Sequence, residues 1–393
     1  MKTLRSWDRV LAARPRLGPR LGPRLGPRLR PRGRALAGVS ACALALSALT
    51  AFGSGEPNAL AASKYPTPAI AVAAGNTVVA TETSAHGLHF YWNEFGTDTW
   101  HVQQVVNNQA YSAPAMVVYG DVVVIAAEGQ DNTLDLYWEQ VGNSLGWRGR
   151  QIAGPGTTYS APSMVVNGGN LNLAVTGPSL SLEFYWVNGL ASAGHPEPVA
   201  GVNTTFSAPS IALNDGDVDI VSQGPANSLD FYQARVGTGK WQPEVVAGAS
   251  TTYSAPSVST YLNVDASVVA EGPDLSLHYY WKTNITQTWH PVTFSGPGAI
   301  GQPAIAIDGL SLAVVTHAQA GVLASYGSGD VNGVGWNREP VNTTASPAGS
   351  DAAATANRPS INIAVFGAGG ELDFYWQDNT GYNREVIAPA GAN

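Results

Sequence analysis

A unit of about 47 residues recurs seven times in residues 62–393, and this repetition constrains the fold more than any other feature. The phrase TTYSAP occupies 157–162 and returns at 251–256, and TTFSAP occupies 204–209. The prolines that align with this phrase are Pro68, Pro114, Pro162, Pro209, Pro256, Pro303 and Pro359. A second motif, SLEFYW in one unit, supplies seven anchor leucines: Leu88, Leu134, Leu182, Leu229, Leu277, Leu323 and Leu372. Two independent anchors therefore give the same number of units.

Within a unit, apolar residues alternate with a period of two, as in NLNLAVTG, and Gly, Pro and Asn separate four short runs. This alternation predicts β-strands rather than helices. Four strands per unit predict an all-β, seven-bladed β-propeller with four-stranded antiparallel blades, whose sheets leave only short edges. A β-helix has shorter repeats, and a sandwich does not repeat sevenfold. We expect units to start near residues 66, 112, 160, 207, 254, 301 and 357.

The sixth unit departs from the others. Its leucine motif reads VLASYG, and TTASPAGSDAAATANR lengthens the connection to the seventh unit. This Ala-rich stretch is predicted to be a surface loop. The repeat leaves open whether the first strand completes the last blade.

The first 61 residues are predicted to be a secretory signal peptide. Residues 1–34 are basic, 35–53 are uncharged, and Ala59-Leu60-Ala61 is a small-x-small cleavage site. We therefore expect an extracellular protein. Two alternatives are an uncleaved membrane anchor at 35–53 and lipidation of Cys42 in VSAC. The Ala-rich apolar run continues past Cys42, which favours cleavage.

The remaining chain is strongly acidic and lacks thiols. The single cysteine is Cys42, so residues 62–393 form no disulfide. Residues 1–61 hold eleven of the 20 Lys and Arg residues but only Asp8 and Glu56 of the 28 acidic ones, which leaves 9 basic and 26 acidic side chains. Such a surface repels nucleic acid and anionic membranes, so we expect neither nucleic-acid binding nor membrane insertion after cleavage.

Tryptophan recurs at two positions of the unit. The first, four residues after the anchor leucine, holds Trp92, Trp138, Trp186, Trp281 and Trp376. The second, eight or nine residues later, holds Trp100, Trp147, Trp241, Trp289 and Trp336. We expect the two indoles of one hairpin to lie opposite each other near its loop. Flat aromatic surfaces beside polar groups bind sugars, whereas packing between blades is the alternative role.

A position six residues before the anchor leucine changes from unit to unit while its surroundings stay constant. It holds Glu82, Glu128, Thr176, Gln223, Glu271, His317 and Phe366. Variation of this kind is typical of ligand contacts and also of solvated turns. We predict that Glu82, Glu128 and Glu271 contact a ligand.

Two units share a pair of histidines, His89 with His101 and His278 with His290. We expect the two members of each pair to be diagonal neighbours on one face of the hairpin. No third ligand accompanies them, so neither a metal site nor any other cofactor is predicted.

Two sequence motifs of catalysis are missing. The chain contains no H-E-x-x-H and no phosphate loop, and SGDVNGVGW at 328–336 is one residue longer than a sialidase Asp-box. The arginines that a sialidase needs are scattered through different phases of the repeat. Carboxylates that converge from distant blades remain an alternative, which would give a hydrolase or lyase acting on polysaccharide.

All seven units resemble secreted bacterial β-propeller repeat proteins whose units read SAPS…GP…SLDFYW…W…VAG. The chain is also similar in blade number and repeat length to bacterial seven-bladed propeller lectins, and more distantly to fungal-type fucose-binding propellers. The resemblance implies sugar binding in pockets between adjacent blades. The fungal-type lectins use an Arg, a Glu and a Trp in each pocket, whereas this chain has almost no regularly placed Arg.

Together these patterns predict a secreted, non-catalytic, multivalent binding protein whose partners are cell-surface glycans or polysaccharide. A protein-interaction or adhesion scaffold and a polysaccharide hydrolase or lyase are the alternatives. The predicted ligand-binding residues are Trp92, Trp100, Trp138, Trp147, Trp186, Trp241, Trp281, Trp289, Trp376, Glu82, Glu128 and Glu271.

Overall fold

The chain forms seven four-stranded antiparallel sheets, and each sheet uses four strands that are consecutive in sequence. The computed structural model describes residues 64–391 except 94–98, 141–145, 262–264, 284, 286, 310, 319–320, 343–347 and 358–359. The predicted signal peptide, the alternative anchor at 35–53 and Cys42 lie outside the described residues. The predicted seven-bladed propeller is confirmed.

The strands of the seven blades follow in chain order. Blade 1 comprises β1 (Ala69–Ala73), β2 (Asn76–Glu82), β3 (Leu88–Asn93) and β4 (Trp100–Val106); blade 2 comprises β5 (Ala115–Tyr119), β6 (Val122–Glu128), β7 (Leu134–Gln140) and β8 (Arg148–Ala153). Blade 3 comprises β9 (Ser163–Asn167), β10 (Asn170–Thr176), β11 (Leu182–Asn188) and β12 (His195–Ala200); blade 4 comprises β13 (Ser210–Asn214), β14 (Asp217–Gln223), β15 (Leu229–Arg235) and β16 (Gln242–Ala247). Blade 5 comprises β17 (Ser257–Tyr261), β18 (Asp265–Glu271), β19 (Leu277–Thr283) and β20 (His290–Thr293); blade 6 comprises β21 (Ala299–Asp308), β22 (Ser311–Ala318), β23 (Leu323–Ser328) and β24 (Asn337–Pro340). Blade 7 comprises β25 (Ala353–Asn357), β26 (Ser360–Phe366), β27 (Leu372–Asp378) and β28 (Gly381–Ala388).

The first strand of every blade lines a central channel. Each of these inner strands contacts the inner strands of both neighbouring blades, and β1 contacts β25, so the ring closes. Blade 1 and blade 7 are each built from their own strands, so closure involves no strand exchange. The middle of the channel is lined mainly by apolar residues and encloses about 480 Å³. The inner strands all begin at one mouth of this channel, and we call that side of the ring the proline face.

The core consists of seven apolar clusters, one at each junction between neighbouring blades. In the third strand, the anchor leucine and the residue two positions after it face the next blade. The tyrosine three positions after the leucine faces the preceding blade. Leu88 and Phe90 of blade 1 thus pack with Tyr137 of blade 2. Because both faces of a blade are buried, the strands need apolar residues on both sides, which the FYW runs provide.

The phrase TTYSAP joins adjacent blades through its backbone. The N–H groups of Thr157 and Thr158 donate to the carbonyl of Asn132 in blade 2, at 2.9 and 3.0 Å. The N–H of Tyr159, one residue later, donates to the carbonyl of Thr176 in blade 3, at 2.8 Å. The same bonds recur around Phe206 and Tyr253. The phrase therefore bonds the blade it leaves and then the blade it enters.

The serine of the phrase fixes the start of the inner strand. Ser160 Oγ accepts the N–H of Thr176 at 3.0 Å, and Ser112, Ser207 and Ser254 accept the equivalent N–H groups in their blades. The proline that follows lies just before the inner strand, where its missing N–H removes no ladder bond.

The last blade begins earlier than Pro359 indicates. Ser350 Oγ accepts the N–H of Phe366 at 3.0 Å, as the phrase serines do elsewhere. The unit therefore starts near 350 rather than 357, and the residues Ala353–Asn357 form the inner strand β25. The prediction of a surface loop there was wrong, because AATAN has no large apolar residue and gains its strand conformation from pairing with β26. Residues 343–347 of the predicted loop lie outside the described residues.

The residues before β1 tie blade 1 to blade 7. The N–H groups of Lys64 and Tyr65 donate to the carbonyl of Gly349, at 2.9 and 3.3 Å. The Tyr65 ring packs 5.3 Å from the ring of Phe366, centroid to centroid. The closing junction therefore has a contact that the other junctions do not use.

The junction of blades 4 and 5 replaces an indole with a buried lysine. Gln233 occupies the position where five blades have Trp. Lys282 of blade 5 is buried, and its Nζ lies 2.6 Å from Glu244 Oε2. The same Nζ lies 4.3 Å from the ring centroid of Phe231 and 4.8 Å from that of Trp289. The cation thus packs on aromatic rings in a space that an indole fills in other junctions.

A buried carboxylate accompanies this lysine. Asp219 is fully buried and accepts hydrogen bonds from Asn214 Nδ2 at 2.9 Å and Gln233 Nε2 at 2.8 Å. Burial raises its pKa to about 6, and the two amides and Lys282 oppose this shift. Lys282 therefore stabilises two carboxylates, one directly and one at longer range.

Within the described residues, no helix has the length and apolarity required to cross a membrane.

Replacing Lys282 with Met is expected to lower the free energy of unfolding by about 2–4 kcal/mol, because Glu244 and Asp219 lose their cation. Glu244 is 38% exposed, so the loss should lie in the lower half of that range. Urea denaturation measures the change. The exposed Lys240→Met is the control and should change stability by less than about 0.5 kcal/mol. Equal effects of the two substitutions would contradict a structural role for Lys282.

Candidate functional site

The first set of tryptophans lies half-buried on the side of the third strand that faces the next blade. Trp92, Trp138, Trp186, Trp281 and Trp376 all belong to this set. Trp186 stacks on His195 of the adjacent strand at 4.0 Å, and its Nε1 donates to Glu197 Oε1 at 3.0 Å. Trp281 stacks on His290 at 4.1 Å. One face of Trp186 and one face of Trp281 are thus covered by a histidine of the same blade.

The second set packs edge-on against an aromatic ring of the preceding blade. The centroid distances, at interplanar angles of 64–72°, are 5.4 Å for Trp100–Phe374, 5.2 Å for Trp147–Phe90, 5.1 Å for Trp241–Phe184, 5.2 Å for Trp289–Phe231 and 5.5 Å for Trp336–Tyr279. These indoles are half-buried, and their Nε1 atoms are buried without a hydrogen-bond partner. Each is therefore first a packing element of its junction.

The two tryptophans of one hairpin lie on opposite faces of the blade. The register pairs Trp92 with His101 and Asn93 with Trp100, so the indoles are one residue out of step. The expectation that they lie opposite each other was wrong, because side chains alternate between the faces of a strand. Instead, Trp92 and Trp147 from neighbouring blades both pack on Phe90, at 5.8 and 5.2 Å.

The same register separates the predicted histidine pair. His89 lies beside Tyr91 on one face, with its Nδ1 3.4 Å from the phenol oxygen, whereas His101 stacks on Trp92 on the other face. The expected diagonal pair is therefore wrong. Among the residues that the structure describes, no three His, Cys, Asp or Glu side chains are grouped to hold a metal.

The variable position at the end of the second strand lies at the proline face and is hydrogen-bonded. Glu82 Oε1 is 3.1 Å from His86 Nδ1, and Glu128 Oε1 accepts from Asn132 Nδ2 at 2.6 Å. Burial raises the pKa of both carboxyls. These acids thus have partners in the turn of their own blade.

Glu271 is the most buried of the three predicted acids, with 4% of its surface exposed. It accepts the N–H of Gly301 in blade 6, while its Oε2 has no hydrogen-bond partner. Burial raises its pKa to about 7, and the charge of Asp351 adds to that shift. The site is enclosed, so Glu271 links blades rather than facing solvent.

A polar position immediately after the anchor leucine was missed in the sequence. It holds His89, Asp135, Glu183, Asp230, His278 and Asp373. A hydroxyl two residues earlier bonds this side chain in blades 2 to 5, as Thr133 Oγ1 does to Asp135 Oδ2 at 3.2 Å. Burial raises the pKa of the four carboxyls. The sequence does contain a signal for this position, because a polar residue recurs in a strand whose two faces are both packed.

The glycine that follows the variable position is required by this side chain. A Cβ on Gly224 would lie 2.1 Å from Asp230 Oδ2, and one on Gly129 would lie 2.0 Å from Asp135 Oδ2. Any larger residue would displace the carboxylate. The glycine and the acid therefore form one structural unit.

A cleft of about 670 Å³ lies between blades 1 and 2. The end of β4 and the following linker form one wall, with Val105, Val106 and Gln109. The opposite wall belongs to blade 2 and comprises Gln130, Asp131, Thr133, Asp135, Tyr137, Trp147, Gly149 and Gln151 together with parts of Arg148, Arg150 and Pro155. The cleft thus combines two carboxylates, those of Asp131 and Asp135, with amides and two aromatic rings.

Gly149 explains why this junction is open. It pairs with Tyr137, and a Cβ there would lie 3.0 Å from the tyrosine ring. The equivalent partner of the tyrosine in the other blades carries a side chain: Val102, Pro196, Pro243, Pro291, Arg338 and Arg384. Among these positions only Gly149 lacks a side chain beside the tyrosine, and the Tyr137 ring itself stays mostly buried, with 4% of its surface exposed.

The two arginines of the cleft wall belong to the opposite face of blade 2, because Arg148 pairs with Trp138 and Arg150 with Leu136, whose side chains face blade 3. Arg150 Nη1 accordingly donates to the carbonyl of Ala191 in blade 3. In blade 7, by contrast, Arg384 forms a bidentate pair with Asp373, at 3.0 and 2.8 Å. Asp135 accepts the Thr133 hydroxyl at 3.2 Å and faces the cleft. It is therefore available as an acceptor for donors on a ligand.

No protein-family model matches the chain, and no curated protein does. Among solved structures, the chain is similar to the BP39L lectin of Burkholderia pseudomallei, with 18% identity, a TM-score of 0.72 and coverage of 82% of this chain and all of that one. It is also similar to AofleA of Arthrobotrys oligospora (13% identity, 71% and 86% coverage, TM-score 0.51) and the fucose-specific lectin of Aleuria aurantia (13% identity, 71% and 95% coverage, TM-score 0.50). At these identities the likeness shows the fold, and the predicted resemblance to propeller lectins is confirmed at that level.

The contribution of Glu271 to stability is expected to fall as the pH rises from 5 to 8. The folded state holds a proton on Glu271 up to a pH of about 7, whereas an ordinary glutamate loses it near 4.5. Stability is therefore lost as the pH rises through this window, by on the order of 3 kcal/mol at most. Urea denaturation at pH 5 and pH 8 measures the loss.

The Glu271→Gln variant is the matched control, because an amide oxygen can still accept the Gly301 N–H. It should match the wild type at pH 5 and be more stable at pH 8. Asp219, whose pKa is about 6, contributes a smaller loss in both proteins. Identical pH dependence in the two proteins would contradict the assignment to Glu271.

Proposed function

We propose that this protein is a secreted, non-catalytic, multivalent carbohydrate-binding protein of the lectin type, with sites between adjacent blades. The observation that carries the proposal is the cleft between blades 1 and 2, where Tyr137 and Trp147 border Asp135 and Gln151. Aromatic rings accept the apolar face of a sugar, and the carboxylate and amide accept and donate hydrogen bonds to its hydroxyls.

The size of the cleft fits a small saccharide. Its volume of about 670 Å³ falls within the range of about 300–1,000 Å³ that is usual for small-molecule sites. Both walls come from rigid strands and short linkers, so the polar groups are held in place before binding. Preorganised groups lose little entropy on binding, which favours recognition of a weakly held ligand such as a sugar.

The structural neighbours support the ligand class. BP39L is named as a lectin, the Aleuria aurantia protein as a fucose-specific lectin, and SapL1, with a TM-score of 0.50, as a lectin in complex with alpha methyl fucoside. Asp135 faces the present cleft, whereas Arg148 and Arg150 belong to the strand face that meets blade 3. We therefore propose a carbohydrate ligand without assigning fucose.

A catalytic role receives less support from the described residues. In the turn that resembles an Asp-box, the aspartate binds the backbone of the turn itself: Asp330 Oδ1 accepts the N–H of Asn332 at 2.9 Å. Arg235 and Arg384 pair with carboxylates in different blades instead of converging. The Asp330 carboxylate and these two guanidiniums are thus engaged in structural contacts, which favours binding over catalysis.

A glycan array with residues 62–393 is expected to show binding to a defined set of glycans. Asp135→Asn should then weaken binding of the best glycan at least tenfold by titration calorimetry, because hydrogen bonds to a charged acceptor are about twice as strong as neutral ones.

Asp230→Asn is the matched control, since Asp230 has the same position in blade 4 and the same hydroxyl partner. It should leave that affinity within about twofold. The proposal fails if no glycan binds or if the two variants behave alike.

A further inference from the structure

The aromatic residue of the repeated phrase is exposed on the proline face. The exposed fractions are 36% for Tyr111, 49% for Tyr159, 45% for Phe206 and 39% for Tyr253. The backbone N–H of each donates to the last residue of the second strand in its blade, at 2.8 or 2.9 Å. Four aromatic rings are thus held at equivalent positions on rigid backbone, although packing between the blades does not bury them.

At the junction of blades 1 and 2, polar groups accompany the exposed ring. His86 stacks on Tyr111 with a centroid distance of 4.2 Å and an interplanar angle of 18°. Glu82 Oε1 lies 3.1 Å from His86 Nδ1 and orients the imidazole. His86 has a left-handed backbone conformation, with φ of 56°, which brings it out of the turn and over the linker.

The next junction repeats this arrangement with an amide. Asn132, also left-handed with φ of 60°, accepts the N–H groups that immediately precede Tyr159. Its Nδ2 donates to Glu128 Oε1 at 2.6 Å. A carboxylate and an amide therefore lie beside the residues that carry the Tyr159 ring.

The junction of blades 4 and 5 has a neutral form of the same group. Gln223 Nε2 donates to Asn227 Oδ1 at 3.1 Å and to the carbonyl of Thr252 at 2.7 Å. Thr252 is the residue before Tyr253. The polar pair of this junction, Gln223 and Asn227, is thus bonded through Gln223 to the backbone that holds the Tyr253 ring.

The junction of blades 3 and 4 changes all three members together. Thr176 takes the place of the acid or amide, Leu180 that of Asn, and Phe206 that of Tyr. Leu180 and Phe206 are exposed, so packing does not demand apolar residues there. At the four junctions whose linker carries an exposed aromatic ring, the three positions are polar in three cases and apolar apart from Thr176 in one.

We infer that Tyr111, Tyr159 and Tyr253, with their adjoining polar pairs, form a second set of binding positions for neutral sugars on the proline face. This inference rests on the proposed carbohydrate-binding function and extends it to a different surface. The exposed ring stacks on the apolar face of a pyranose, and the His, Asn, Glu and Gln groups bond its hydroxyls. The formal net charge of −8 disfavours anionic glycans.

Three such positions on one face give the ring avidity for extended glycans. A single exposed aromatic ring with one polar pair binds a sugar weakly. Several sites on one rigid body convert later contacts into intramolecular events, which raises the overall affinity without a new contact. A branched or repeating glycan is therefore the ligand class that uses this face best.

The test measures binding of methyl glycosides of glucose, galactose, mannose and fucose by ligand-observed NMR, in a protein that carries Asp135→Asn. We expect residual binding in this variant. Adding Tyr111→Ala, Tyr159→Ala and Tyr253→Ala should reduce that signal at least fivefold. Adding Phe206→Ala alone should leave it unchanged, since that ring has the same exposure without the polar pair.

Melting temperatures close to that of the Asp135→Asn parent are expected for all variants, because the substituted rings are exposed. Should a variant fail to fold, Tyr159→Ser alone serves as the replacement, with the NMR signal of Phe206→Ser as its reference. Sugar binding that Asp135→Asn abolishes completely would overturn the second set while leaving the cleft proposal intact. If the wild type binds none of the sugars tested and no glycan on the array, both proposals fail together.

Discussion

The fold depends on one constraint, which is that each blade buries both of its faces against its neighbours. The anchor leucine and its aromatic partner face forward, and the tyrosine faces backward, as Phe90 and Tyr137 show at the first junction. A residue placed on either face of the third strand therefore affects two blades at once. This explains why the FYW run changes so little between units, and why the indoles that follow it serve packing first. It also confines variation to strand ends, linkers and the few positions where packing leaves space.

The positions proposed for binding all lie where this packing is relaxed. Gly149 opens the first junction by removing the side chain that covers tyrosine in other blades. The rings of Tyr159 and Tyr253 project from linkers whose backbone is already bonded to both blades. Binding at such places requires no movement of the core. A propeller can thus vary its ligand contacts without altering the interactions that keep the ring closed.

The sequence repeat predicted most of the fold, because strand alternation and a constant period are local patterns that can be seen in the sequence. Three details depended on register, which the period does not define. Trp92 and Trp100 differ by one residue in pairing, so they face opposite sides. Pro359 matched the repeated proline, but the hydrogen bond to Ser350 places the start of the last unit earlier. The Ala-rich strand β25 lacks the residues that normally mark a strand, and only its neighbours define it.

The candidate sites were less accessible to sequence reasoning, since exposure depends on neighbours from distant parts of the chain. The tyrosine of TTYSAP belongs to a constant phrase, and the sequence does not show that its backbone bonds the blade while its side chain is exposed. Asp135 was not predicted as a site residue, because its motif was interpreted only through the anchor leucine and the aromatic residues.

Closure without strand exchange has a consequence for how such rings arise. Every strand pairs within its own unit, so adding, deleting or reordering a unit breaks no β-ladder. The backbone bonds that the linkers make to both blades recur at several junctions, since the linkers have similar sequences. Other bonds between blades, such as that from Lys282 Nζ to Glu244 Oε2, join particular neighbours. Duplication or exchange of a whole unit is therefore compatible with every β-ladder, and it alters only those contacts that are specific to one pair of blades.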